Sequence, residues 1–158
     1  MILYLLIAFV VFASMEGVTW FTHKYIMHGF LWYLHEDHHQ KGSGILEKND
    51  AFFLIFAIPS WLCIMLGLMY QNYLSVSIGA GIAMYGAAYF IVHEVIIHQR
   101  LKWFNRINNR YFKVLKWAHK MHHKHLLKEE GESFGMLLVS KKYWEKVKHD
   151  EEIKKGLA

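Results

Sequence analysis

The chain has one cysteine, Cys63, and one proline, Pro59, in 158 residues. A single thiol excludes an internal disulfide and a cysteine-ligated iron–sulfur cluster. Cys63 lies in an apolar run and reads as a small core residue. Pro59 lies in the same run and should kink the helix that contains it. Basic residues are missing from the first 23 positions: all 18 Lys and Arg lie at Lys24 or later, and none lies at 71–73. The N-terminus therefore lacks the basic n-region of a signal peptide, and its apolar stretch reads as an uncleaved span. Acidic residues number 13 against those 18 basic ones, so the chain is net basic. It is also 54% hydrophobic and 16% aromatic. Oil and positive charge together fit a membrane protein with a charged cytoplasmic face, and speak against a nucleic-acid partner.

The length argues for one domain, 1–158. Three apolar stretches are long enough to cross a bilayer, which needs about 20 helical residues. They run over about 2–21, 51–70 and 74–92. The first holds one charge, Glu16. Asn49 and Asp50 are plausible caps for the second, and Gln71-Asn72-Tyr73 reads as the turn of a hairpin between the second and third. The third is rich in Gly and Ala, from Gly79 to Ala88, which suits close helix packing or, alternatively, a slot for a thin lipid. The expected fold class is all-α: an integral membrane protein of about three transmembrane helices, with cytoplasmic or interfacial helices carrying a histidine-rich dimetal site. The basic residues put the N-terminus and the 71–73 turn outside, and 24–49 and everything after His98 in the cytoplasm. From Gln99 to His123, Leu101, Phe104, Ile107, Tyr111, Leu115 and Ala118 recur at spacings of three and four, which predicts an amphipathic helix in the headgroup layer. The charged last turn, Glu151-Glu-Ile-Lys-Lys155, reads as solvated.

Ten of the twelve histidines form four clusters. His23 and His28 are followed by His35, His38 and His39. His93 and His98 are followed by His119, His122 and His123. The pattern H-x4-H then H-x2-HH thus occurs twice, each time at or beyond the cytoplasmic end of a span. Residues at i, i+3 and i+4 share a helical face, so each triple can hold one metal and offer a third ring to its neighbour. The x4 pairs lie about 140° apart on an ideal α-helix, so they need a loosened helix to embrace one site. Ten imidazoles suit two metals, and iron, copper and zinc all fit the ligand type. A zinc hydrolase would need only three protein ligands plus water; redox chemistry is the natural use of a pair. His125 points to another face than His123, and His149 lies in the charged tail; neither is assigned a role.

These boxes resemble the membrane-bound fatty acid hydroxylase superfamily, and more closely its bacterial beta-carotene hydroxylase branch, the CrtZ type. The matching strings are His-Lys-Tyr-Ile-Met-His-Gly at 23–29, His-Glu-Asp-His-His at 35–39 and Leu-Glu-Lys-Asn-Asp at 46–50. They continue with Tyr-Phe-Ile-Val-His-Glu at 89–94, His-Gln-Arg at 98–100, Ala-His-Lys-Met-His-His at 118–123 and Ser-Phe-Gly-Met-Leu at 133–137. The resemblance implies a multi-pass enzyme of the bacterial inner membrane that hydroxylates C3 of the beta-ionone ring, taking beta-carotene through beta-cryptoxanthin to zeaxanthin. It implies two non-haem iron ions held by the ten clustered histidines, O2 as co-substrate and reduced ferredoxin as electron donor. Position 94 is Glu where the family pattern has Asp, and His125 is outside that pattern. The rival readings are a fatty acid or sterol hydroxylase, a carotenoid ketolase and, from another class, a membrane metal-handling protein.

Overall fold

A computed structural model describes residues 1–40, 46–101, 107, 109–129 and 131–156. Every regular element among them is helical. The α-helices are α1 (Ile2–Phe21), α2 (Trp32–His39), α3 (Ala51–Met69), α4 (Tyr73–Tyr89), α5 (Arg110–His122) and α6 (Lys141–Gly156). A 3-10 turn, Lys48–Asp50, leads into α3, and π-helical segments continue α1 over Thr22–Phe30 and α4 over Phe90–Ile97. Three helical runs are long and apolar enough to cross a membrane: Ile2–Phe30, Lys48–Met69 and Tyr73–Ile97. In hydrocarbon a backbone must satisfy its own polar groups, which a continuous helix does. Phe9, Trp61 and Leu68 are exposed on these runs, as lipid-facing residues are. The protein is an all-α, multi-pass membrane protein.

α4 packs against both α1 and α3, and its small residues allow it. A Cβ on Gly79 would meet the Ser60 carbonyl oxygen at 2.6 Å, and one on Gly81 would meet that of Ala8 at 2.5 Å. Close packing, rather than a lipid slot, is therefore the use of these two positions. Cys63 is half-buried at the α3–α4 contact, its Cβ 2.9 Å from where a Gly79 Cβ would stand. Pro59 lies within α3, and the helical run continues through it. Gln71, at φ 53°, makes the hairpin turn, and Asn72 caps α4 by accepting from the Ser75 N–H at 3.2 Å. Tyr73 belongs to α4 rather than to the turn. Its ring lies 5.9 Å from that of Tyr4, so the N-terminus and the turn share one end of the bundle, opposite the histidines.

Glu16 is buried inside the first span, where a carboxylate is expensive unless it is fully paired. Its Oε1 accepts the backbone N–H groups of Met136, Leu137 and Leu138, each at 2.9 Å. Its Oε2 accepts the Tyr85 hydroxyl at 2.6 Å. One charge thus ties the 136–138 segment to α1 and α4.

Of the helix expected over Gln99–His123, the described residues show α5, Arg110–His122. Gln99 has φ 56°, a left-handed conformation that ends the preceding run. Asn109 then starts α5, its side chain accepting from the Tyr111 N–H at 2.8 Å. Leu101 and Ile107 lie outside the helix, and Phe104, Lys102 and Arg106 lie outside the described residues. The apolar stripe of α5 is spent on protein contacts. Leu115 packs with Val92 and Met136, while Val114 and Ala118 pack with Tyr143 and Val147 of α6. α6 itself carries a weak apolar signal, Tyr143 and Val147 in a charged sequence. Glu151 of its final turn, expected in solvent, is ion-paired to Arg110 and Lys113, at 2.9 Å each.

Candidate metal centre

His23, His28 and His93 sit within the π-helical segments, and His98 caps the second. There Leu31 N–H reaches the Ile26 carbonyl at 3.0 Å and His98 N–H reaches that of His93 at 2.9 Å, each an i→i+5 bond. That wider turn brings residues five apart onto one side, as single π turns at functional sites do. His23 and His28 thereby face one centre, and His93 and His98 another.

The triples divide between the same two centres. His23, His28, His35, His39 and His122 form one group, and His38, His93, His98 and His119 the other; the candidate ligand atoms within each group lie within 4.8 Å of one another. From α2, His35 and His39 enter the first group and His38 the second. From α5, His122 enters the first and His119 the second. The His123 ring lies 4.3 Å from His119, 4.7 Å from His38 and 4.6 Å from His39, so it stands at the seam, and its Nε2 is buried without a hydrogen-bond partner. All ten clustered histidines come together, and each triple serves both centres. His125 contributes its carbonyl, which accepts from His39 Nδ1 at 2.9 Å.

Seven rings are turned with Nδ1 outward. His23 donates to the Phe134 carbonyl, His28 to that of Lys128 and His122 to that of Glu132, at 3.1, 3.1 and 2.9 Å. His35 Nδ1 pairs with Asn49 Oδ1 at 2.7 Å. His38 and His93 donate to carboxylates, Glu47 at 2.8 Å and Glu94 at 2.5 Å. His39, already described, is the seventh. Such partners fix the tautomer and raise the basicity of the inward nitrogen.

The inward nitrogens then face one another. His28 Nε2 and His122 Nε2 are 3.3 Å apart, and His38 Nε2 and His93 Nε2 3.2 Å. A carbonyl or carboxylate oxygen only accepts, so in each of these four rings the proton of the neutral form sits on Nδ1 and Nε2 is bare. Two bare lone pairs at this distance repel unless a cation lies between them. Burial, with charge repulsion from neighbouring rings, works against a proton. It pushes His35 and His98 down to about 3, His39 to about 4 and His123 to about 2, and holds His122 lower still. Neutral imidazoles with converging Nε2 atoms are what a metal requires. Adjacent nitrogen ligands 2.0–2.1 Å from an ion would stand about 3.0 Å apart at a right angle, close to the spacing found. The donor set fits two metal ions.

An open cavity of about 430 Å³ reaches His38, His98 and His119 of the second group and His39 of the first, with Glu47, Lys116 and Lys120 on its border. Aromatic rings pack on the first group: Phe134 lies 5.1 Å from His28 and 5.4 Å from His23, and Trp32 5.2 Å from His39.

Sequence reasoning about the ligands did not reach their supports. Asn49, expected as a helix cap, instead bonds His35; Asp50 Oδ2 accepts the Glu47 N–H at 3.0 Å. Glu94 bonds the His93 ring directly, so the departure from Asp at that position touches the histidine cluster. The strings at 46–50 and 133–137 were the available signal.

The profile described as "Fatty acid hydroxylase" matches residues 7–148. A "Beta-carotene hydroxylase" of Pantoea ananas is 42% identical over 84% of this chain and 75% of its own length. One of Pseudescherichia vulneris is 41% identical over 81% and 72%. A "Beta-carotene 3-hydroxylase 2, chloroplastic" of Arabidopsis thaliana is 32% identical over 92% of this chain, which spans 48% of that longer protein. No solved structure matches.

Proposed function

Because the chain belongs to the fatty acid hydroxylase family, as a homologue of its beta-carotene hydroxylases, we propose that it is a beta-carotene 3-hydroxylase. The reaction would take beta-carotene to beta-cryptoxanthin and zeaxanthin, with O2, two non-haem iron ions and reduced ferredoxin. The whole chain, 1–158, would act as one membrane-bound unit. The observation that carries this reading is the pair of histidine groups with their Nε2 atoms converging. The relatives' names supply the substrate class.

His23, His28, His35, His39 and His122 would hold one ion, and His38, His93, His98 and His119 the other, with His123 at the seam. Bound there, the iron pair would supply the oxidising power that an unactivated C–H bond demands. The chain's own part is placement. Asn49, Glu47, Glu94 and the carbonyls of Lys128, Glu132 and Phe134 hold the rings in register. Phe134 and Trp32 pack apolar rings against the first group. A carotenoid dissolves in the bilayer and would reach the ends of the spans from the side. The positive rim of the open cavity, Lys116 and Lys120, suits an acidic electron donor. The positive-inside bias, with no basic residue before Lys24, supports a cytoplasmic centre and an outward N-terminus in a bacterial inner membrane.

The test is pigment analysis of a beta-carotene-producing host, supplied with iron and a working ferredoxin, that expresses this chain. Zeaxanthin and beta-cryptoxanthin are the expected products. Keto-carotenoids alone would make it a ketolase. An unchanged carotenoid profile together with hydroxylated fatty acids or sterols would move it to a sister activity.

A further inference from the structure

The two histidine groups are supported by different chemistry. The first group's rings bond neutral oxygens: the carbonyls of Phe134, Lys128, His125 and Glu132, and the Asn49 amide. In the second group His38 and His93 each bond a carboxylate, Glu47 and Glu94. Arg100 joins those two carboxylates. Its guanidinium lies 3.0 Å from Glu47, 3.0 Å from Glu94 and 2.9 Å from Asp50. Arg100 thus fixes both carboxylates against the His38 and His93 rings. A carboxylate partner pulls the Nδ1 proton toward itself and makes Nε2 a stronger donor than a carbonyl partner does. The open cavity borders three histidines of the second group, His38, His98 and His119, and one of the first, His39.

We propose that the two metal positions are inequivalent and fill in order. The position made by His38, His93, His98 and His119 takes the first ion and holds it more tightly, because Glu47 and Glu94, held against the His38 and His93 rings by Arg100, make those imidazoles the stronger ligands. Glu47, Glu94 and Arg100 are positioning residues: they touch the ligand rings or one another, not the ion. The inference rests on the dimetal reading above, but its order follows from the supports alone.

The experiment is an anaerobic titration of the metal-stripped, detergent-solubilised protein with Co2+, read by visible absorption and by bound metal per chain. Two events are expected, with dissociation constants at least about 10-fold apart, since changing one such outer partner shifts metal affinity about 10–100-fold. Glu47→Gln and Glu94→Gln should weaken the tight event by that factor and leave the weak one in place. Asn49→Asp, which gives the first group a carboxylate, should tighten the weak event. His98→Ala should remove the tight event and His28→Ala the weak one. Two ions bound with one indistinguishable constant would overturn the order while leaving the dimetal reading intact. So would loss of the tight event in His28→Ala. No bound cobalt at all would sink both. Should a variant fail to insert, the titration of the unaltered protein still decides whether the positions differ.

Discussion

Removing the Glu16 carboxylate should loosen the metal centre from a distance. Met136, Leu137 and Leu138 give their N–H groups to Oε1 at 2.9 Å, and Tyr85 gives its hydroxyl to Oε2 at 2.6 Å. Glu16→Ala strands three inward N–H groups, at about 1–3 kcal/mol each, for a loss of roughly 3–9 kcal/mol. Total stabilities are about 5–15 kcal/mol, so much of the fold's margin would go. Glu16→Gln keeps an oxygen for the three N–H groups and forfeits charge assistance, about 1 kcal/mol at each, or roughly 3 kcal/mol. The damage should spread to the ligands. The Phe134 carbonyl orients His23, and the Glu132 carbonyl orients His122, and both sit just before the anchored segment. The assay is a thermal melt in detergent beside metal content per chain, for both variants. A graded fall in each, Ala worse than Gln, is expected. If Glu16→Ala melted with the parent and kept its metal, the carboxylate would not be what holds 136–138 in place.

Acid should destabilise the metal-stripped protein over a defined range. The folded-state values of His35, His98 and His39 are lowered by burial to about 3, 3 and 4, while the unfolded rings titrate near 6.5. Below about pH 6.5 the unfolded chain takes up protons that the folded chain refuses, so stability falls with pH until about 3–4 and is flat above about 6.5. Chemical-denaturation midpoints that stayed constant between pH 7 and 4 would contradict this. Gly81→Ala places a Cβ 2.5 Å from the Ala8 carbonyl, whereas one at Gly86 meets nothing within 4 Å. The first should cost about 1–3 kcal/mol by overpacking and the second should be near neutral, as read by paired thermal melts. His122→Ala should abolish hydroxylation and lower bound metal while the protein still inserts, and His149→Ala should leave both unchanged; equal activity in the two would mean that the ligand set is wrong.

The spans were legible because hydrocarbon imposes a coarse rule, length and apolarity, and Ile2–Phe30, Lys48–Met69 and Tyr73–Ile97 obey it. The histidine spacing carried further. An x4 pair makes sense only off the α-helical period, and His23/His28 and His93/His98 both lie on π turns. What stayed hidden was set by contacts distant in sequence. Nothing local marks Asn49 as a partner of His35 rather than a cap, or Glu16 as an acceptor for N–H groups 120 residues away. The end of the third helical run turned on a left-handed Gln99, inside a sequence whose apolar spacing reads as one continuous helix from there to His123. α6 was masked by charge, since two buried residues a turn apart, Tyr143 and Val147, carry its packing.

The distance along the chain between Glu16 and its three backbone donors bears on biogenesis. At roughly 5–20 residues per second, the ribosome delivers Met136 about 6–24 s after Glu16. Through that interval the first span waits in or beside the lipid with its carboxyl group unmatched by the segment that finally embraces it. Tyr85, arriving about halfway, is the earliest native donor. Assembly of the bundle is thus ordered by translation: the N-terminal span can settle fully only once the third has followed it in and the C-terminal segment has folded back from the aqueous side.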